Sequence, residues 1–279
     1  MKNHSIFEQF DRVQSTGTGN HVFDFLGAAT NVSYKKGWEK HAVKKDTKYT
    51  PNYPPVNEHY FDWIALLQCV QSATGTFRMA ELGAGWAPWL VRGALAAKQN
   101  ENITNVELVG VEADATHYAW VKEHFLDNKI DPSTYIALHG AVSDTETILK
   151  FPKLDNPDED YGASLRSAST AIMDYVEVKG YTLESILGQF SDVVDFVHVD
   201  IQGAEYDVIP SSFDLLNKKV KAMMIGTHIS TEKHLALRDL FLSNGWNEGM
   251  VYSRNEKVQT EFGEVSFGDG FQFWRNPNF

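Results

Sequence analysis

The densest chemistry in this chain lies in Ala80-Glu81-Leu82-Gly83-Ala84-Gly85-Trp86-Ala87-Pro88-Trp89. An apolar run leads into it and a helical pattern follows. Glycines at such a strand-to-helix turn permit a tight bend and let a ligand approach the backbone. The helix N-terminus behind them offers free N–H groups. A dinucleotide fingerprint would place a small residue at the third position. Pro88 stands there, which suits a first helical turn but not close helix–strand packing. Glu81 points to a different ligand. A carboxylate at a strand tip can receive an ammonium by a charge-assisted hydrogen bond, and S-adenosylmethionine (SAM) carries one on its amino-acid end. Gly83, Ala84, Gly85 and Trp86 are the loop contacts this reading requires.

Glu112 ends the next apolar run, 27 residues beyond Gly85. An acid there can accept both hydroxyls of a ribose, with Ala113 beside it. The third run ends in Leu138-His139-Gly140-Ala141-Val142, and Ala141 and Val142 are placed to flank an adenine. Direct methyl displacement needs alignment above all, and a positioned base can add to it. Asp200 ends the fourth run and His228 the fifth. On neighbouring tips they can pair, with histidine as base and aspartate fixing its tautomer; Asp200 then also borders the cofactor. His198 shares a sheet face with Asp200 and reads as a core histidine. Asp200, Glu205 and His228 would also suit a divalent ion, but no zinc-type His/Cys spacing supports one, and no metal ligand is assigned. Residues 152–164 are polar and turn-rich and suit a lid; Tyr161 is their best aromatic for covering a cofactor. Trp86 and Trp89 either wall the site or pack, and packing is expected for Trp89.

These groups need a scaffold that brings strand tips together. Apolar runs at 77–82, 106–112, 134–139, 193–200, 220–228, 249–253 and 271–274 alternate with helical stretches at 87–99, 114–127, 182–189, 203–209 and 232–244. A further helix, capped by Asn57, precedes them, and Thr231 is the expected cap of the last one. Gly245 can close that last helix. Such alternation predicts a doubly wound, mostly parallel sheet. The polar connection Asn255–Gly270 lacks a helical period and implies an antiparallel final pair at one edge.

Glu81-x-Gly83-x-Gly85, Glu112, Ala141-Val142-Ser143-Asp144 and above all Val199-Asp200-Ile201-Gln202-Gly203-Ala204-Glu205 resemble the FkbM family of SAM-dependent methyltransferases. The family's usual last motif is I-D-V-E-G-A-E. The resemblance spans roughly 77–246. It implies a Rossmann-like α/β sheet of seven strands with an antiparallel last strand. It also implies SAM as cofactor, S-adenosylhomocysteine (SAH) as product, and O-methylation of a hydroxyl on a sugar, glycolipid or polyketide-like small molecule. Gln202 departs from the family's Glu, which keeps a non-catalytic SAM-binding protein in play. A nicotinamide-dependent oxidoreductase is the other alternative. The domain reading is an N-terminal extension, 1–56, contacting substrate or a second copy, and a methyltransferase domain, 57–279.

Composition narrows the class further. The 279 residues carry 25 Lys+Arg against 37 Asp+Glu, a net charge of −12, which opposes non-specific nucleic-acid binding. Lys35, Lys36, Lys40, Lys44, Lys45 and Lys48 form a local basic patch suited to a solvated face or an anionic substrate. The single cysteine, Cys69, gives no intramolecular disulfide and fits a reducing compartment. No run approaches the ~20 apolar residues of a membrane span, and Met1–Ser5 open no signal peptide. A cytoplasmic enzyme is expected, with homo-oligomerisation left open.

Overall fold

The computed structural model describes residues 3–165 and 174–279. Its main elements, in chain order, are α1 (His59–Ser72), β1 (Gly75–Leu82), α2 (Pro88–Ala97), β2 (Ile103–Glu112), α3 (Ala115–Asp127), β3 (Tyr135–His139), α4 (Leu183–Leu187) and β4 (Phe196–Val199), then α5 (Glu205–Ser211), α6 (Phe213–Lys219), β5 (Ala222–Thr227), α7 (Thr231–Ser243), β6 (Asn247–Tyr252) and β7 (Gly270–Arg275).

The seven strands hydrogen-bond in the order β6-β7-β5-β4-β1-β2-β3. β3, β2, β1, β4 and β5 pair in parallel. β7 runs antiparallel to both its neighbours, β5 and β6. The antiparallel last strand is therefore present, inserted one place in from the edge, with β6 outermost. Strand order reverses at β1/β4, the place where open α/β sheets bind ligands beyond their carboxyl ends.

Period-two alternation assigns the two faces of the sheet. Phe77 and Met79 of β1 join the core under α1, α2 and α3. Ala80 and Leu82 of the same strand join the opposite core, under α4 to α7. Each fully buried side chain such as Phe77 contributes roughly 1.5–3 kcal/mol. Local signals set the helix ends. Asp114 accepts from the N–H groups of Thr116 and His117 to start α3. Pro88 is the first residue of α2, and Gly245 takes φ +78° after α7. Two expected caps differ: α1 has no side-chain cap, and Ser230 rather than Thr231 accepts from Lys233 N–H at the start of α7.

Three features go beyond the sequence reading. Phe7, Phe10, Phe25 and Leu26, all within 1–56, share one core with α1, so the extension is packed into the main body. Residues 255–270 form a hairpin, Glu256–Thr260 with Gly263–Phe267. Its Phe262 and Phe267 rings lie 5.4 and 5.5 Å from those of Tyr60 and Phe61 on α1. Strands Ala141–Val142, Ile148–Pro152 and Tyr175–Tyr181 build a small separate sheet beyond β3. Among the described residues, no helix is long and apolar enough to cross a membrane.

Candidate functional site

A cavity of about 700 Å³ opens at the β1/β4 switch point, within the size range of small-molecule sites. The glycine loop forms its floor. Gly83 takes φ +76° and Gly85 φ +57°. A Cβ on Gly83 would fall 1.9 Å from the Asp200 carbonyl oxygen, so only glycine lets these two strand tips meet. Gly85 has a ring, that of Tyr161, 3.7 Å from its Cβ position.

Glu112 clasps this loop. Its Oε2 accepts from Gly85 N–H and its Oε1 from Asp114 N–H, both at 2.7 Å. The carboxylate is buried and faces the cavity, and burial pushes its pKa up. An ionised carboxylate has about four lone-pair sites, so two remain for a ribose diol. Glu81 also borders the cavity, but it has a second role. Its oxygens accept from Trp89 N–H at 3.3 Å and Leu90 N–H at 2.9 Å, satisfying the first turn of α2. Burial raises its pKa to about 7.

Ala113 and Ala141 come together in one small apolar cluster with Phe151, against which Ala163 and Leu165 pack. All five line the cavity, as does Val142. Phe151, Ala163 and Leu165 are the residues sequence reasoning missed; their only signal was apolar character inside a polar stretch. Tyr161 stacks on His117 with ring centroids 4.5 Å apart and planes 5° apart, and meets Trp86 edge-on at 4.9 Å. Its hydroxyl donates to the Tyr34 carbonyl oxygen. Lys36 N–H donates to the Asp158 carbonyl, and the Lys36 ammonium pairs with Glu159. The 152–165 segment is thus tied over the loop by the N-terminal region. Of the six lysines, Lys35 lines the cavity, over the Trp38 ring. Trp89 both packs and lines the cavity, stacking on His198 at 5.3 Å. Trp63 and Trp89 hold the Arg92 guanidinium 4.5 Å from each ring, and Asp24 pairs with it at 3.1 Å.

Asp200 and His228 are brought together as the sequence predicts, but their order differs. Asp200 faces the cavity and is half-exposed. His228 sits behind it, buried, with Nε2 3.3 Å from Asp200 Oδ1. Its Nδ1 lies 3.1 Å from Oε1 of the fully buried Glu205, which also accepts the His228 N–H. Burial works against charge on this ring, yet hydrogen bonds to Asp200 and Glu205 prevail and push its pKa up to about 10. Both ring nitrogens of His228 thus face carboxylates, an environment that favours the charged ring. Desolvation disfavours the Asp200 anion, but its bond from His228 holds its pKa below the usual carboxylate range. A metal finds no suitable donor set here. Glu205 Oε2 is bound by Gly203 N–H at 2.7 Å and Oε1 by His228. Among the described residues no group of three or more His, Cys, Asp or Glu side chains is arranged to hold an ion.

A glycine loop after β1, an acid at the tip of β2 and an antiparallel β7 define a Rossmann-like α/β protein of the methyltransferase class. The chain belongs to the FkbM methyltransferase family: the model described as the methyltransferase FkbM domain matches residues 93–247. A candidate methyltransferase of Jannaschia sp. (strain CCS1) is 32% identical over 193 residues, which are 66% of this chain and 67% of that protein. Among solved structures, the methyltransferase FkbM of Methylobacillus flagellatus KT has a TM-score of 0.47 at 12% identity, covering 73% of this chain and 45% of that one. The M. capricolum TrmK structure, a complex with SAH, has a TM-score of 0.37 at 8% identity, covering 76% and 67%.

Proposed function

We propose that this methyltransferase uses SAM and methylates a hydroxyl of a small molecule. The observation that carries the reading is the clasp of Glu112 on Gly85 N–H, in a cavity that continues from the glycine loop into the N-terminal region. The residues present fit the cofactor: the Ala113/Ala141/Phe151 wall suits an adenine, Glu112 a ribose diol, and Glu81 an ammonium. The bound cofactor would supply an electrophilic methyl group on sulfur.

The chain's own groups do the rest. Tyr161 and Trp86 close over the loop and exclude water, which strengthens every polar contact beneath them. Phe25, Tyr53, Pro54 and Trp63 wall the far part of the cavity, so residues 1–56 and α1 would hold the acceptor. Asp200 would accept the hydroxyl's hydrogen bond, orient its oxygen for in-line attack and take up the proton that the oxygen releases as it gains the methyl group; alignment of this kind can be worth ~7–11 kcal/mol. His228 positions Asp200 and keeps it anionic. Gln202 serves this arrangement through its side-chain amide, which donates to Asp200 at 2.8 Å. No metal is needed in this scheme, and EDTA should leave turnover unchanged.

Isothermal calorimetry with SAH tests the cofactor, and SAH release from SAM across a panel of hydroxylated small molecules tests the acceptor class. Binding with turnover on a hydroxyl supports the reading. Absence of any heat with SAM and SAH removes it.

A further inference from the structure

Arg92 on α2 has a guanidinium with five N–H donors, and only one of them is in use. Its Nε donates to Asp24 Oδ2 at 3.1 Å. Asp24 is itself pinned, because its Oδ1 accepts from Leu26 N–H at 3.0 Å and Ala28 N–H at 3.2 Å. Among the described residues, neither terminal nitrogen of Arg92 has a hydrogen-bond partner. Neither is sealed away as a buried unpaired atom. The side chain is 22% exposed and borders the cavity. Its central carbon lies 4.5 Å from the ring centres of both Trp63 and Trp89, and these two rings meet edge-on. An arginine gripped by its faces presents an edge of paired N–H groups, a fork that matches a carboxylate or a phosphate.

The fork belongs to the far part of the cavity. From Trp63 the wall continues to the Phe25 ring at 5.0 Å, and from Phe25 to Tyr53 at 5.2 Å. Two more basic side chains border the same cavity. Lys35 has no carboxylate partner among the described residues and lies over the Trp38 ring. His59 has the Asp62 carboxylate 3.6 Å from its Nδ1, which raises its pKa against burial and the charge of Arg92. We propose that the methyl acceptor carries an anionic group, a carboxylate or a phosphate, and that the terminal N–H groups of Arg92 seat it while the hydroxyl lies at Asp200. The assignment names the acceptor's class within the reading above and rests on it. The cavity carboxylates Glu81, Glu112 and Asp200 are the ones that reading gives to the cofactor and the hydroxyl.

The test is ligand-detected NMR with benzoate, phenyl phosphate and benzyl alcohol, on the protein with and without saturating SAH. The three probes share a ring that suits the aromatic wall and differ in charge. The better-bound anion should exceed benzyl alcohol by at least about tenfold, with SAH present, and the anion that leads distinguishes carboxylate from phosphate. Arg92→Gln should erase this preference, a loss of about 10- to 100-fold, and keep SAH affinity within about twofold. Arg92→Lys retains the charge beside Asp24 without the fork and should also lose most of the preference, which covers the case of a glutamine protein that does not fold. Asp24→Asn removes the opposing charge and should tighten both anions. A purely structural Arg92–Asp24 tie would instead make the asparagine and glutamine variants behave alike. No preference for anions, a preference that survives in Arg92→Gln, or its loss in Asp24→Asn overturns the proposal. So does a preference seen only without SAH, because the cofactor's own carboxylate then occupies Arg92. An intact anion preference in a protein that binds no SAH would sink the cofactor reading alone and keep the anion seat.

Discussion

Gln202 reaches back from a left-handed backbone, φ +51°, to donate a 2.8 Å hydrogen bond from Nε2 to Asp200 Oδ1. The same oxygen faces His228 Nε2 at 3.3 Å. Asp200 is therefore held by a neutral amide and an imidazolium at once. The amide at 202 adds a donor without adding negative charge. Gln202→Glu replaces that donor with a like charge. The variant should melt a few degrees below wild type at pH 7, with a gap that shrinks near pH 4 as the carboxyls protonate. A loss of about 1 kcal/mol is expected, since Asp200 is half-exposed, or roughly 2–4 °C. Equal melting temperatures at pH 7 would contradict the pairing.

The Glu112 clasp joins fold and ligand. Glu112→Ala leaves the half-buried Gly85 and Asp114 N–H groups without their carboxylate acceptor; hydrogen bonds to charged groups are worth ~1.5–3 kcal/mol each. We expect a stability loss of at least about 2 kcal/mol by urea denaturation and SAH affinity lowered by more than about tenfold. Glu112→Gln should lie between. Full SAH affinity in Glu112→Ala would refute the ribose role.

His228 predicts a definite pH dependence. Its folded pKa, about 10, lies above the unfolded 6.5. The stabilisation is thus complete below about pH 6.5 and fades as pH rises toward 10. Wild type should lose stability between pH 7 and 10 relative to His228→Gln, which lacks the titrating group. Denaturant midpoints for both proteins at pH 6.5 and 9.5 decide the matter.

Glu81 titrates near pH 7 because burial disfavours its anion. Its folded pKa is raised, so ionisation costs the fold something as pH climbs through 7. A bound ammonium would favour the anion and lower that pKa. SAH binding at pH 7 should then release a fraction of a proton and tighten from pH 6 to 8. Calorimetry in buffers of different ionisation enthalpy measures this. A Glu81→Gln protein should bind weakly and release no proton; release undiminished in that variant would assign the proton elsewhere.

The Tyr161 contacts tie the 152–165 segment to the loop. Tyr161→Phe keeps the stack on His117 and loses only the hydroxyl bond to Tyr34. Tyr161→Ala loses both. SAH should dissociate severalfold faster from the alanine protein and little faster from the phenylalanine one, by stopped-flow fluorescence. Equal rates in all three would show that the ring does not cover the ligand.

The site's parts were readable because each rests on local chemistry. Gly83, Gly85, Glu81, Glu112 and Asp200 sit at strand ends, and period-two and helical patterning place those ends on one edge of a parallel sheet. Which partners these groups take is a matter of distant segments. The sequence pairs His228 with Asp200, but its second partner, Glu205 at Nδ1, comes from another element. His198 reads as core, and its buried partner, Asp62 on α1 at 3.2 Å, lies 136 residues away in the chain. Phe151, Phe25 and Tyr53 line the cavity from segments without a clear periodic signal, so only the packing of distant elements shows that they face it. The sequence by itself determined the sheet, the loop and the family, through spacing and backbone freedom. Proton placement and cavity shape were decided only by tertiary contacts, since both depend on which side chains meet between separate elements, from the 23 residues of chain between Glu205 and His228 to the 136 between Asp62 and His198.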